Sequence, residues 1–329
     1  MTWFAEFTEF ITLDGMVYPF INGERFIISE EGLGMPPVEY LTQRGPLQHG
    51  ETVIYYRLAK RIIQIVQRED TCSRWDYWEA RTNLINALRP NRHYPINPVP
   101  PGPSPTVLST TAPTVLFGPG VLRKKLPNGA IRDIKVLVEQ GPGFVAREEG
   151  KWDEWGFTEA IRFVAHDPTF YDPTLKEHTF TIQPSSDHLI FPFVWGVDGY
   201  FMFGRSLVTS GDHIFYNGNW LSFPDITIVG PLSDFRITNN TIEEYIGLTY
   251  TIDPGEIVTI SLPHGNKTIT SNLGSNLLGT LQSGSKLSTF RLECHPQAEN
   301  GLNQFFLQGS GANANTMIIM SYYERFIGI

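Results

Sequence analysis

The sequence predicts a mainly β protein of two domains, and three observations carry that expectation. Aromatic residues make up 13% of the 329 residues, with 22 Phe, 13 Tyr and 7 Trp, and such side chains favour the pleated, half-buried surface of a strand. Gly and Pro are abundant, at 30 and 24, which supplies the tight turns that short strands need. A chain of 37.2 kDa is too long for one compact core and comfortable for two. With 41% hydrophobic and only 18% charged residues, intrinsic disorder, a long coiled coil and a helical surface laced with ion pairs are excluded.

The elements follow in order. Glu9-Phe10-Ile11-Thr12-Leu13 reads as a strand that turns at Asp14-Gly15, and Phe20-Ile21 meets a second turn at Asn22-Gly23; both dipeptides favour the φ > 0 turns of hairpins. A Gly/Pro loop at 32–37 precedes two strands, 52–57 and 61–67. The second is assigned to a strand because Ile62, Ile63, Ile65 and Val66 are β-branched. One helix is expected. Ser73 caps it, Asp76 follows three residues on, and Pro90 stops it. Trp75, Trp78, Thr82, Ile85 and Leu88 recur at threes and fours with Leu84 beside them, the stripe of a helix packed on a sheet, with an exposed docking face as the second reading.

Between 90 and 120 stand Pro90, Pro95, Pro98, Pro100, Pro101, Pro103, Pro105, Pro113 and Pro119. Each proline deletes a donor and fixes φ, so this stretch is neither a central strand nor a helix interior but an extended surface loop. Strands resume at Val121, turn at Pro127-Asn128-Gly129, and continue through 131–139 and 158–165. Asp167-Pro168-Thr169-Phe170-Tyr171-Asp172-Pro173 holds an aromatic pair between two Asp-Pro turns, and the domain boundary is placed there. Beyond it Ser, Thr, Asn and Gly replace charge: residues 173–329 hold 7 basic and 13 acidic groups, against 18 and 21 before them. Strands expected at 225–229, 248–252, 257–262, 286–292 and 317–323 are spaced like those of an all-β sandwich.

A formal net charge of −9 gives no footprint for gripping nucleic-acid phosphates or an anionic membrane. Cys72 and Cys294 are too few for a disulfide scaffold or a thiolate zinc site. Residues 1–6 have neither the basic nor the apolar region of a signal peptide, and no run approaches eighteen apolar residues. The eight histidines, at 49, 93, 166, 178, 188, 213, 264 and 295, show no metal-ligand spacing. Neither a nucleophile elbow nor a phosphate-binding loop is present; Gly118-Pro119-Gly120 and Gly309-Ser310-Gly311 are turn material. Asp153 and Glu154 lie between Trp152 and Trp155, but adjacent carboxylates on an extended chain point to opposite faces and cannot flank one glycosidic bond. Arg123, Lys124, Lys125 and Arg132 form the densest basic spot, too small for nucleic acid and better explained by salt bridges. Asn239-Asn240-Thr241 and Asn266-Lys267-Thr268 are formal glycosylation sequons read as chance matches. No catalytic residue, cofactor or metal site is expected.

Several of these segments together resemble the distal tail proteins of long-tailed bacteriophages. In the first half the carriers are Gly32-Leu33-Gly34-Met35-Pro36-Pro37, His49-Gly50, the helix segment Trp78-Glu79-Ala80-Arg81, and Leu122-Arg123 with Asn128-Gly129 and Arg132-Asp133-Ile134. The most specific is the close of the first domain, with Asp167, Pro168, Phe170 and Tyr171. In the second half Asn217-Gly218-Asn219-Trp220, Phe223-Pro224-Asp225 through Gly230-Pro231, Gly255-Glu256-Ile257-Val258 and Tyr323-Glu324-Arg325-Phe326 are similar to the family and keep its order. The motif residues are thus Asp167, Pro168, Phe170, Tyr171, Gly218, Pro224, Gly230 and Arg325. The proline-rich 90–120 departs from the family as an insertion, and 174–212 matches nothing.

The resemblance implies a tail-tube-like β-sandwich with one α-helix and a hairpin extension over 1–172. A linker at 173–212 and a galectin-like β-sandwich at 213–329 would follow. It implies a structural role, in which six copies form a ring that joins the tail tube to the baseplate or tail-tip hub and leaves a channel for DNA. Expected partners are other copies of the chain, the tail tube protein and the baseplate hub or tail-associated protein, with the tape measure protein and host-binding proteins as further candidates. DNA would pass without specific binding, no membrane would be involved, and the place would be the virion tail tip, after assembly in the host cytoplasm. A saccharide-binding adhesion or baseplate accessory module is the alternative, and a wall-degrading enzyme ranks third.

Overall fold

The computed structural model describes residues 6–93, 115–144, 156–181 and 207–329. Most of the proline-rich loop, the Trp152-Asp153-Glu154-Trp155 cluster, His188 and much of 173–212 therefore lie outside the described residues. The chain divides into two units, Met1–Pro173 with Ile327–Ile329, and Thr174–Phe326.

The first unit contains β1 (Phe7–Ile11), β2 (Val17–Pro19), β3 (Arg25–Glu31), β4 (Val38–Gln43), β5 (Thr52–Leu58) and β6 (Arg61–Asp70). After these come α1 (Arg74–Leu88), β7 (Asn91–His93), β8 (Val115–Phe117), β9 (Gly120–Lys125), β10 (Ile131–Gln140), β11 (Gly156–Ala165) and β12 (Phe170–Tyr171). Its main sheet runs β2-β1-β9-β10-β11-β6-β3 with β12 against β10. The Asp14-Gly15 turn closes the β1–β2 hairpin with Gly15 at φ 83°. The second expected hairpin does not form. Asn22 instead makes an Asx turn, its side-chain oxygen accepting from the backbone N–H of Glu24 (2.9 Å) and Arg25 (2.7 Å), and β2 and β3 join different neighbours, β1 and β6. β6 alternates buried residues with half-buried or exposed ones, the period-2 pattern of a strand, which its β-branched residues favour. Its inward Ile63 and Ile65 join Phe10, Phe20, Leu122, Ile134, Ile161 and Phe163 in the core.

The helix begins and ends where expected: the Ser73 hydroxyl accepts from the Asp76 backbone N–H at 3.2 Å, and Arg89, extended at ψ 129°, leads into Pro90. Its buried face is not the expected one. Ala80, Leu84, Ala87 and Leu88 pack inward, whereas Trp75 (86% exposed), Trp78 and Ile85 face solvent. Small residues allow a close approach to the sheet that indoles would prevent.

The second unit contains β13 (Lys176–Thr181), β14 (Leu207–Phe215), β15 (Asp225–Val229), β16 (Leu232–Asn239), β17 (Glu244–Gly247) and β18 (Thr251–Ile252). It continues with β19 (Ile257–Ser261), β20 (Thr268–Ser271), β21 (Leu302–Ser310), β22 (Met317–Tyr322) and β23 (Arg325–Phe326). Two five-stranded sheets, β13-β22-β15-β19-β20 and β14-β21-β16-β17 with β18 on β16, enclose one apolar cluster that includes Phe180, Ile226, Ile228, Phe235, Ile237, Phe290, Phe305 and Ile318. Residues 286–292 are not a strand. They run through turns from Lys286, whose carbonyl accepts from the Thr289 and Phe290 N–H groups at 3.2 and 2.9 Å, and still bury Phe290 and Leu292. Nor is 248–252 continuous, since only Thr251–Ile252 pair there as a strand.

Candidate assembly interface

Most of the motif residues gather at two places, with Pro224 and Gly230 outside them. At the first, Arg61 opens β6 with only 1% of its surface exposed. Its Nε donates to the carbonyl of Pro168 (2.7 Å), Nη1 to the carbonyls of Gly32 (2.7 Å) and Gly34, and Nη2 to that of Ile327 (2.5 Å). The guanidinium lies 4.8 Å from the centre of the Phe170 ring. One cation therefore ties the Gly32-Leu33-Gly34 loop, the Asp167–Tyr171 motif and Ile327. Burial pushes its pKa down to about 10, so it stays charged at neutral pH. Asp167 shapes the turn by accepting from the Thr169 hydroxyl at 3.0 Å, and Tyr171 pairs with Asp133. Gly32 sits at φ +85°, and a Cβ there would meet the Ile62 carbonyl at 2.0 Å. Arg61 escapes a sequence reading because a charge at a strand start ordinarily marks solvent.

The second place is the seam where Gly218 meets Arg325. The Tyr216 hydroxyl, 2% exposed as a residue, donates to the Trp220 carbonyl (2.6 Å) and accepts from the Arg325 N–H (2.8 Å). Trp220 and Arg325 are also joined as a bridge. A Cβ on Gly218 would lie 2.3 Å from the Tyr216 hydroxyl and 2.6 Å from the Arg325 carbonyl, so only glycine passes. Burial holds the Tyr216 phenol well above its ordinary pKa, suiting it to a fixed neutral linker. Pro224 is buried just before β15. Gly230 stands apart, where a Cβ would meet the Asp253 carbonyl at 2.2 Å.

Arg123, Lys124 and Arg132 of the basic spot are paired inside the first unit. Arg123 makes a two-pronged pair with Asp133 (2.8 and 2.9 Å), Lys124 pairs with Glu30, and Arg132 reaches Asp172 at 3.4 Å. The hydrogen bond to Asp133 is the chief reason that the Arg123 pKa stands above its ordinary value. Asn239, in one sequon, is fully buried and donates to the Arg291 carbonyl at 2.9 Å, so the folded chain offers no acceptor there.

The surface that stands out is the β4–β5 hairpin. Among the described residues it pairs with no other strand. Tyr40, Leu41, Val53, Ile54, Tyr55 and Tyr56 are all exposed, Tyr55 by 68% and Tyr40 by 63%, and Leu47 at the loop is fully exposed at φ 63°. A two-stranded ribbon is marginal alone in water, and apolar side chains on both faces make it a surface that needs a cover. Periodicity missed this because strand alternation says which residues share a face, not whether either face is covered. No group of three or more His, Cys, Asp or Glu side chains among the described residues is placed to hold a metal ion.

Nearly the whole chain superposes on a solved structure, that of SPP1 Dit (gp 19.1), a paradigm of the hub adsorption apparatus in phages that infect Gram-positive bacteria. The match covers 98% of this chain and 99% of that one, with a TM-score of 0.60 and 11% identity. The chain has the Dit fold. Chains of the phage p2 baseplate in its activated conformation, with Sr or Ca, match at TM-scores of 0.41 and 0.40 and identities of 12% and 11%, covering 96% and 94% of this chain and 98% and 99% of theirs. No protein-family model matches the chain, and no curated protein does. The expected resemblance is met in the fold: among the described residues the chain is mainly β, with one α-helix and a second unit built as a β-sandwich.

Proposed function

We propose that this chain is a structural component of a phage tail, placed at the tail tip of the virion and assembled in the host cytoplasm. Six copies would close through their first units into a ring between the tail tube and the baseplate hub, with a central channel for DNA. The observation that carries the proposal is the Dit-like fold over 98% of the chain. The exposed β4–β5 hairpin supports the self-association it requires, because a closed ring joins two different patches on each protomer, and this ribbon is an apolar patch with no cover among the described residues. A net charge of −9, with the basic spot paired internally, suits a channel that should not hold passing phosphates. Partners would be the tail tube protein, the hub or tail-associated protein and, at the rim, the tape measure and host-binding proteins. The role would be non-enzymatic. Electron microscopy of particles carrying the chain tests it: six-fold rings at the end of the tube are expected, and copies confined to side fibres, or monomers outside any ring in the particle, would overturn it.

A further inference from the structure

We propose that the tryptophan face of α1 is a docking surface for the chain's own proline-rich segment, residues 94–114. The proposal is independent of the ring, since it concerns the first unit of one chain alone.

The face is continuous. Trp75, Trp78, Thr82 and Ile85 recur at threes and fours, so at about 3.6 residues per turn they share one side of α1. The buried Ala80, Leu84, Ala87 and Leu88 take the other. Trp78 and Ile85 are 50% and 48% exposed, less than Trp75, and the three form a single apolar stripe rather than scattered side chains. Trp78 is wedged from behind. The Arg81 guanidinium lies 4.7 Å from the centre of its ring and 4.1 Å from that of Phe144, and the Tyr77 ring meets it edge-on at 5.7 Å. A ring already held in place loses little further freedom when something packs on its open side.

The occupant is argued from where residues 94–114 begin and end. β7 starts three residues after α1, and β7 pairs with β8, Asn91 with Phe117 and His93 with Val115, so the segment leaves and returns at adjacent points. Gly118, which follows β8, lines the same small cavity as Ala87, Arg89 and Pro90, which sets the root of the segment beside the last turn of α1. The 21 residues between carry seven prolines and no Asp, Glu, Lys, Arg or His. Pro95, Pro98 and Pro101 recur every third residue, the period that aligns side chains on one side of a polyproline II helix.

The lengths agree. At about 3.1 Å per residue those three prolines span about 19 Å, against about 15 Å from Trp75 to Ile85 along α1. A loop of this length, out and back, reaches about 30 Å from its root, beyond the roughly 20 Å that separates Leu88 from Trp75. The chemistry agrees as well. Proline rings pack on indole faces, and a backbone with φ already fixed gives up little entropy on docking. An uncharged segment brings no ion that the stripe would have to desolvate.

Hydroxyl-radical footprinting of the full chain at submicromolar concentration, read by mass spectrometry, tests this. When residues 95–113 are replaced by a Gly/Ser linker of the same length, Trp75 and Trp78 should be oxidised at least threefold faster than in the parent chain, with Trp220 of the second unit unchanged. In the reverse direction, Trp75→Ser with Trp78→Ser should raise labelling of Pro95 to Pro101 at least threefold, the melting temperature of each variant confirming an intact fold. Equal oxidation of Trp75 and Trp78 in the parent and linker chains would overturn the proposal. Protection in the parent chain that disappears on further dilution would overturn it too, by assigning the face to a second copy.

Discussion

The two units treat apolar surface in opposite ways. The second encloses its isoleucines and phenylalanines between two sheets and turns amides, hydroxyls and a few rings outward. The first also has a core, yet exposes Tyr40, Leu41, Val53, Ile54, Tyr55 and Tyr56 on one ribbon and Trp75, Trp78 and Ile85 on one helix face. Composition does not separate these cases, because the same residue types serve both. What differs, among the described residues, is whether a facing layer exists within the unit: the second encloses its apolar surface between two sheets, and the first leaves this ribbon and helix face exposed.

The strongest way to break this contrast is at Arg61. Arg61→Met would leave four carbonyls without their donor, and a loss of about 4 kcal/mol is expected. Calorimetry of the full chain should show the first unit melting much earlier and the second unmoved; a shared loss would mean that the units are not energetically separate. The counterpart in the second unit is Gly218→Ala, whose methyl would strike the Tyr216 hydroxyl and the Arg325 carbonyl, at an expected cost of about 2 kcal/mol read in the second transition.

Ile54→Ser with Tyr55→Ser sharpens the contrast from the other side. Both residues are exposed, so folding stability should change by less than about 0.5 kcal/mol each, while the proposed assembly into rings, followed by sedimentation, should weaken at least tenfold. A stability loss comparable to a core substitution would show that the ribbon is already covered within its own chain.

The smallest effect concerns pH. At Asp212, burial acts to raise the pKa, but the hydrogen bond from His178 and the His213 N–H outweigh it, so the carboxyl titrates below its ordinary range. A depressed folded-state pKa stabilises above the unfolded value and loses that stabilisation as pH falls through the folded one. The second unit should therefore lose stability on acidification below the ordinary carboxylate range. Asp212→Asn should flatten that slope, with a shift on the order of 2 °C at neutral pH for so exposed a pair.

Local chemistry was legible in the sequence and the third dimension was not. Ser73 and Pro90 set the ends of the helix, and the β-branched run from Ile62 set β6, because caps, prolines and χ1 stiffness act within a few residues. The helix was given the wrong face because its largest apolar side chains are tryptophans, while the chain packs through Ala80, Leu84, Ala87 and Leu88. Asn22-Gly23 has the composition of a hairpin turn, but an Asx turn satisfies the same residues and sends the strands to different neighbours. The glycines and Pro168 were visible as motifs; what they share, the guanidinium of Arg61, was not, since its acceptors are backbone carbonyls that any residue carries.

The socket around Arg61 also sets an order of events during synthesis. Its fourth carbonyl belongs to Ile327, 266 positions further along the chain. At 5–20 residues per second a ribosome needs roughly 15–50 s to cover that distance. Until then the first unit holds an incompletely satisfied cation, and the intervening second unit emerges before the first can be completed. A nascent chain would thus be held short of a finished first unit until Ile327 has emerged.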